Sequence, residues 1–171
     1  MGPGWYAIAT FLDPDLSPGD TGSMVFAEMA ESMVATGLAA RTKDEVIEQM
    51  LTILERTGKV RDRELARSDI DRNEQNTPFG MQHGIAIPHA KTAAVEEMLA
   101  CVAVTAEPVD FSSIDGSPSR ICVMTLSPPD QVGPHLRFLS EVGRLLKSRR
   151  LRKAILNAGS SEELLRLIRG G

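Results

Sequence analysis

Two uncharged, mainly apolar runs, residues 99–105 and 121–126, constrain the fold of this chain more than any other feature. Both are predicted to be buried strands, because they are short, apolar and followed by polar or turn-forming residues. Segments with helical periodicity lie before and after them. Strands interleaved with helices predict an α/β domain in which helices cover a sheet. A chain of 171 residues is long enough for a single domain with a full-sized core. The pattern leaves the order of the strands open.

The helix that begins after Thr42 has the clearest start signal in the chain. Thr42-Lys43-Asp44-Glu45 is a capping box, in which a hydroxyl and the carboxylate three residues later bind unpaired backbone N–H groups. This helix is predicted to end near Gly58. Further helices are predicted over residues 25–33 and 62–70, from Gly133-Pro134 onward, over 151–158 and after Ser160. A first strand is predicted over residues 33–38, a loop over 72–84 and a helical turn over 92–98.

Composition and charge narrow the functional classes. Hydrophobic residues make up 42% of the chain and charged residues 25%, which is typical of a globular protein in water. The formal net charge of −4 argues against nucleic-acid binding, and the basic cluster at residues 147–153 is expected to be a solvated helix end. Cys101 and Cys122 lie in the two apolar runs. They are expected to be reduced core residues, since their spacing fits no metal or redox motif.

The first 22 residues are expected to be an extension that precedes the domain of residues 23–171. Asp13-Pro14-Asp15 and Pro18-Gly19-Asp20 interrupt the extension. Its uncharged stretch, residues 1–12, is too short to span a bilayer and lacks the positive flank of a signal peptide. We therefore expect a cytoplasmic protein with no direct membrane insertion.

The segment Gly84-Ile85-Ala86-Ile87-Pro88-His89 points to chemistry. Its apolar part is expected to be buried. Pro88 fixes φ and removes a backbone donor, so it marks the place where the run leaves regular structure. His89 is therefore expected at the end of a rigid element. A histidine held in this way can be a nucleophile, a proton carrier, a metal ligand or a structural side chain.

The residues around His89 resemble a known family. The stretch is Gly80-Met81-Gln82-His83-Gly84-Ile85-Ala86-Ile87-Pro88-His89-Ala90-Lys91-Thr92. It closely resembles the active-site segment of the fructose/mannitol-type enzyme IIA domains of the bacterial phosphoenolpyruvate-dependent sugar phosphotransferase system, including the nitrogen-regulatory enzyme IIA proteins. The resemblance covers about residues 25–169. It implies a mixed, roughly five-stranded sheet flanked by helices on both faces, with His89 at a sheet edge.

The resemblance also implies a function. His89 would accept a phosphoryl group from phosphorylated HPr, or from a nitrogen-branch paralogue of HPr, and pass it to an enzyme IIB. No cofactor is implied, because the donor protein supplies the phosphoryl group. The alternative is a nitrogen-regulatory protein that controls partner proteins according to its own phosphorylation state. Both alternatives fit these residues, which identify no sugar.

Two further histidines are candidates for the same site. His135 follows Pro134 in the first turn of a predicted helix, where free backbone N–H groups and the helix dipole favour an anion such as phosphate. In the resembled family a histidine at this place helps to bind the phosphoryl group, and the resemblance implies this role for His135. His83 is expected to be a loop residue. A zinc site is not expected, because the six-residue step from His83 to His89 is not a metal-ligand spacing.

Three other residues are candidates for binding or supporting the phosphate. The family has an arginine followed by a glutamate ahead of the histidine segment, and here the order is Asp71-Arg72-Asn73-Glu74. Arg72 is therefore a candidate with one residue inserted, unless the arginine is displaced. Gly84 is a candidate through its backbone N–H, and Lys91 through its charge.

A donor protein is expected to dock around His89 on a shallow surface with an apolar rim. Phe79, Met81 and Ile85 are the nearest apolar candidates in the sequence. Glu96 and Glu97 are candidates to face basic residues of the donor. Such charge pairs mainly raise the association rate and weaken as salt is added.

Overall fold

A computed structural model describes residues 24–170 of the chain. The predicted extension, residues 1–22, lies outside these described residues. Short 3-10 turns cover Glu31–Met33 and Gln82–Gly84. The helices and strands, in chain order, are α1 (Met24–Glu28), β1 (Val34–Leu38), α2 (Lys43–Glu55), α3 (Arg63–Asn76), β2 (Ile85–Ala86), β3 (His89–Lys91), β4 (Leu99–Val109), β5 (Ser119–Ser127), α4 (Val132–Lys147), α5 (Arg149–Leu156) and α6 (Ser161–Gly170).

The five strands form one mixed sheet, as predicted. β4 and β5 are its antiparallel centre, with Val102 opposite Val123. β1 runs parallel to β4 on one side. β2 and β3 both pair parallel with β5 on the other side, so His89 lies on an edge of the sheet.

Helices cover both faces of the sheet, because the two central strands are apolar on both sides. Cys101, Cys122 and Met124 point into the core under α2 and α3. Ile121 and Val123 point into a second core, formed with α1, α4, α5 and α6. Both cysteines are buried and free, as predicted.

The signals for helix starts and ends explain most of the helix bounds. Thr42 caps α2, and its hydroxyl accepts a hydrogen bond from the backbone N–H of Glu45 at 3.2 Å. The carboxylate of Glu45 reaches back to the N–H of Arg41 at 2.7 Å. Asp62 caps α3 in the same way through Leu65. No helix within residues 24–170 is long and apolar enough to cross a membrane.

Three predictions of local structure were wrong. The helix predicted over residues 25–33 ends at Glu28, and Glu31–Met33 form a separate 3-10 turn. α3 continues to Asn76, so residues 72–76 are helical and not part of a loop. Asn73 and Asn76 had suggested a turn, but no helix breaker occurs before Pro78. Pro78 disfavours helical geometry at the residue before it, and Thr77 is extended, with φ −145° and ψ 104°. Residues 92–98 contain a turn but no helix.

Candidate active site

The strand that carries His89 is interrupted by proline without losing its register. Ala86 pairs with Cys122, and three residues later His89 pairs with Thr125 on the same neighbour, β5. Pro88 has no N–H to donate, yet its carbonyl accepts a hydrogen bond from the N–H of Thr125 at 3.1 Å. His89 is thus held by regular strand pairing, but it begins β3 and does not follow the end of a strand as predicted.

A backbone hydrogen bond orients the ring of His89. Its Nδ1 lies 2.8 Å from the carbonyl oxygen of Ile87. A carbonyl oxygen only accepts hydrogen bonds, so the proton of this bond belongs to Nδ1. In the neutral ring, Nε2 then keeps its lone pair. Burial lowers the pKa of His89, and the bond to Ile87 opposes that effect only in part. The imidazole of His89 is therefore neutral at neutral pH, with the lone pair on Nε2.

Two side chains contact His89: Asn73, on α3, and Phe79, which follows the end of α3. The Nδ2 of Asn73 donates a hydrogen bond of 2.7 Å to the backbone carbonyl of His89. The ring of Phe79 lies beside the imidazole, with 5.5 Å between ring centroids. Phe79 is buried and packs in the core under α2 and α3. The histidine is thus fixed by contacts to its backbone and to one side of its ring.

His135 lies next to His89, in the first turn of α4. The two ring centroids are 5.6 Å apart. The Nδ1 of His135 lies 2.9 Å from the hydroxyl oxygen of Ser127, the last residue of β5. Burial, together with the nearby charges of His89 and Lys91, lowers the pKa of His135 to about 4. His135 is therefore neutral at neutral pH, and one of its two ring nitrogens carries a hydrogen.

Lys91 lies on the same face of the sheet as the two histidines. Its neighbour Ala90 points into the opposite core, so the alternation of a strand places His89 and Lys91 together on the other face. Lys91 is exposed and pairs in register with Ser127. Its charge contributes to the lowered pKa of His135. Lys91 is therefore within electrostatic range of His135.

The structure does not support the role predicted for Arg72. Its guanidinium forms an ion pair with Asp69, with an Nη1–Oδ1 distance of 3.0 Å, and the side chain is exposed. Successive residues of a helix point about 100° apart, so Arg72 and Asn73 cannot both face β3. Asn73 is the residue that contacts His89. The amide of Asn73, directly before Glu74, makes this contact, while Arg72 pairs with Asp69.

Gly84 has a conformational role and not the predicted phosphate-binding one. Its φ is +74°, and a Cβ at this position would lie 3.3 Å from the carbonyl oxygen of Pro118. It precedes His89 by five residues, or about 16 Å of extended chain. The backbone N–H of Gly84 is thus too far away to bind a phosphoryl group on His89.

His83 is an exposed loop residue, as expected. Its φ is +66°, in the left-handed region. The carboxylate of Asp115 accepts a hydrogen bond of 3.0 Å from the backbone N–H of His83 and so ties this turn to the loop before β5. Residues 24–170 contain no group of three His, Cys, Asp or Glu residues that could hold a metal ion.

The predicted docking rim was wrong for two of its three residues, and Met81, the third, is half-buried. Phe79 and Ile85 are buried, at 1% and 6% exposure, and cannot contact a partner. The exposed apolar side chains nearest to the histidine pair in the chain are Val132 and Leu136, which flank His135 on α4 with 44% and 43% exposure.

The two glutamates predicted to contact a donor have partners within the chain. Glu96 forms an ion pair with Arg61, and Glu97 forms one with Lys59. All four side chains are more than half exposed. Exposed pairs of this kind contribute little to stability, but they reduce the local negative charge available to a partner.

Comparison with known proteins identifies the class. Residues 29–170 match the sequence model of a family described as phosphoenolpyruvate-dependent sugar phosphotransferase system, EIIA 2. A relative from Haloferax volcanii, named PTS system fructose-specific EIIA component, is 35% identical over 121 residues, which are 71% of this chain and 79% of the relative. The chain belongs to this enzyme IIA family, and the resemblance predicted from the residues around His89 is confirmed.

Other relatives represent both branches of the family. The PTS system fructose-specific EIIABC component of Bacillus subtilis is 31% identical over 140 residues, which are 82% of this chain but only 22% of that longer protein. A nitrogen regulatory protein of Pseudomonas aeruginosa is 25% identical over 127 residues, 74% of this chain and 82% of the relative.

Solved structures confirm the fold. The nitrogen regulatory protein IIA-Ntr of Neisseria meningitidis superposes with a TM-score of 0.79 at 24% identity, over 85% of this chain and 99% of that one. IIA mannitol of Escherichia coli superposes with a TM-score of 0.71 at 20% identity, over 82% of this chain and 99% of that one.

Proposed function

We propose that this chain is a phosphohistidine carrier and that Nε2 of His89 is the atom that is phosphorylated. The hydrogen bond between Nδ1 of His89 and the carbonyl of Ile87 is the observation that carries this proposal. It leaves one ring nitrogen with a lone pair, in a ring that the lowered pKa keeps neutral. Family membership supports phosphoryl transfer as the reaction.

The transfer is a displacement at phosphorus. The lone pair of Nε2 forms the new N–P bond, and the bond between phosphorus and the donor's imidazole breaks, its electron pair returning to that imidazole. The ring of His89 gains positive charge as the N–P bond forms, and the carbonyl of Ile87 stabilises this charge through Nδ1–H. The resulting phosphoramidate stays reactive, so the group can move on to an acceptor.

His135 and Lys91 supply the groups that meet the negative charge of the phosphoryl oxygens. A neutral imidazole can donate one N–H, and the ring of His135 lies 5.6 Å from that of His89. Lys91 adds a full positive charge on the same face. Transfer of a phosphoryl group depends mainly on positioning and on such electrostatic stabilisation.

The donor is an HPr-like phosphocarrier, and it docks over the start of α4. Val132 and Leu136 are four residues apart, so they lie on one side of the helix, beside His135. Exposed apolar side chains next to a reactive group are typical of a surface that partner proteins contact. The acceptor is an enzyme IIB; one of the structures with the same fold is a complex of enzyme IIA mannitol with phosphorylated enzyme IIB mannitol from Escherichia coli, 19% identical to this chain.

Incubation with phosphoenolpyruvate, enzyme I and HPr tests the proposal. Intact mass should show one added phosphoryl group, and fragmentation under mild alkaline conditions should place it on His89. Absence of labelling with both HPr and a nitrogen-branch paralogue, or labelling on another residue, contradicts the proposal.

Relatives that are named nitrogen regulatory protein favour the nitrogen-regulatory alternative. Two of them are 25% and 36% identical to this chain over the matched residues. It predicts the same labelling of His89 but no onward transfer. A chase with a purified fructose-type enzyme IIB separates the two: loss of the label from this chain and its appearance on enzyme IIB supports the transport branch. Retention of the label supports the regulatory branch.

A further inference from the structure

The hydroxyl of Ser127 makes a buried contact with the second histidine of the site. Ser127 ends β5, is fully buried, and lies with its Oγ 2.9 Å from Nδ1 of His135. Strand alternation places Ser127 on the same face of the sheet as Thr125, the register partner of His89. The two histidines are thus linked through one short stretch of β5.

The direction of this hydrogen bond follows from the hydrogen-bonding capacity of both groups. The serine O–H is a donor that needs an acceptor, and within residues 24–170 its Oγ has Nδ1 of His135 as its hydrogen-bond partner. If Nδ1 carried the hydrogen, the buried O–H would be left without an acceptor. A buried donor without a partner is disfavoured, because it has lost its hydrogen bond to water and gained none in return. The serine therefore donates and Nδ1 accepts.

We propose that Ser127 is a positioning residue for the phosphoryl transfer: its hydroxyl holds His135 in the tautomer with hydrogen on Nε2, so that this N–H can donate to the phosphoryl group on His89. The inference rests on the proposed function of the site. It assigns to Ser127 a role that acts through His135, without contact with the phosphoryl group.

Because His135 is neutral, its tautomer decides which ring nitrogen can donate a hydrogen bond. A doubly protonated imidazole would present an N–H at both nitrogens, and its tautomer would not matter. Burial and neighbouring charge keep the pKa of His135 far below neutrality, so only one N–H exists. If Nδ1 of His135 carried the hydrogen, Nε2 would face the phosphoryl oxygens with a lone pair. The lone pair and the oxygens are both acceptors, so they would repel each other. The Ser127 contact prevents that arrangement.

The tautomer can be measured on the unphosphorylated protein. Nitrogen-15 spectra of the histidine-labelled protein at neutral pH should show His135 with hydrogen on Nε2 and none on Nδ1. A hydrogen on Nδ1 of His135 would overturn the proposal directly. This measurement needs no donor protein, so it reports on Ser127 even if His89 is never labelled and the proposed function fails.

Variants of Ser127 test the consequence for transfer. Ser127→Ala should slow labelling of His89 by about tenfold, because the ring of His135 loses its fixed tautomer and orientation. Ser127→Thr retains the hydroxyl and should recover most of the rate. Ser119→Ala is the matched control: it removes another buried serine hydroxyl from β5, one with no hydrogen-bond partner among the described residues.

The outcomes are separable from loss of folding. Thermal unfolding and backbone NMR spectra identify a variant that does not fold. In that case the tautomer of His135 in the unsubstituted protein tests the proposal: hydrogen on Nε2 supports it, and hydrogen on Nδ1 refutes it. Equal rates for Ser127→Ala and the unsubstituted protein would refute the role. An equal loss of rate in Ser127→Ala and Ser119→Ala would also refute the role, because Ser119 does not contact His135.

Discussion

The imidazole rings of His89 and His135 lie side by side, with centroids 5.6 Å apart and an angle of 41° between their planes. β3 supplies one ring and α4 the other, so the contact joins the sheet edge to the helix that covers it. Burial lowers the pKa of both rings. Two neutral imidazoles can lie in contact without charge repulsion.

Replacement of His89 should abolish labelling and leave the fold intact. Gln at this position removes the nucleophile but keeps a polar side chain of similar size, at a half-buried position of an edge strand. We expect no phosphoryl mass shift for His89→Gln and an unfolding midpoint within a few degrees of the unsubstituted protein. Intact mass spectrometry after incubation with the donor system checks the first expectation, and calorimetry checks the second.

His83→Asn is the matched control for that variant. It also removes a histidine from the same segment, and asparagine tolerates the left-handed backbone, with φ of +66°, that residue 83 adopts. Labelling of His83→Asn should equal that of the unsubstituted protein. Labelling of His89→Gln at a comparable level would exclude His89 as the phosphorylated residue.

His135 should make the protein less stable in mildly acidic solution. Its pKa falls from 6.5 in an unfolded chain to about 4 in the folded state. Between these pH values the unfolded state binds a proton that the folded state does not, so the free energy of unfolding falls as the pH falls from 6.5 to 4. The loss attributable to His135 is about 3 kcal/mol, at about 1.4 kcal/mol per pKa unit.

Denaturant unfolding at several pH values between 4 and 7 measures this effect. His135→Gln lacks the titrating ring, so its free energy of unfolding should fall less steeply than that of the unsubstituted protein over this window. Carboxylates titrate in both proteins and cancel in the difference. Parallel curves for the two proteins would show that the pKa of His135 is not lowered.

The sequence predicted the parts of the site that lie within one local pattern. The apolar run and the proline before His89 predicted a histidine held by a rigid element, the family resemblance implied its place at a sheet edge, and Gly133-Pro134 predicted His135 at a helix start. Both were found in those places. Local patterns suffice here, because each of these signals acts on the backbone of its own segment.

Contacts between distant segments were not predictable in the same way. Asn73 meets His89 only because α3 packs against β3, and its polar side chain had suggested a turn. Ser127 meets His135 because β5 ends beside the start of α4. Phe79 and Ile85 were misjudged because closeness in sequence does not show exposure.

Loss of the Asn73 amide should slow phosphorylation with little effect on stability. The amide holds the backbone carbonyl of His89 at 2.7 Å, so Asn73→Ala removes one hydrogen bond and loosens β3 against α3. We expect a loss of about 1 kcal/mol in the free energy of unfolding and a several-fold lower rate at saturating donor.

Asn76→Ala is the control for Asn73→Ala. Its amide bonds the backbone carbonyl of Arg72 within α3, at 2.9 Å, and does not reach β3. Rapid-quench labelling of both variants separates positioning from helix stability. If Asn76→Ala lowers the rate as much as Asn73→Ala does, the effect arises from α3 as a whole and not from the contact with His89.

Exposed apolar side chains beside His135 should control how tightly a donor protein binds. Val132→Ser and Leu136→Ser each remove exposed apolar area next to the histidine pair without opening the core. We expect the KM for the phosphorylated donor to rise several-fold for each variant while kcat changes little, because contacts at this surface form equally in the ground state and the transition state.

Leu65→Ser, at 37% exposure on α3, removes a similar side chain that lies outside the proposed docking surface and should leave KM unchanged. Steady-state labelling with purified phosphorylated HPr measures both constants. A fall in kcat at constant KM would place Val132 and Leu136 in the transfer step itself, and unchanged constants would place donor docking on another surface.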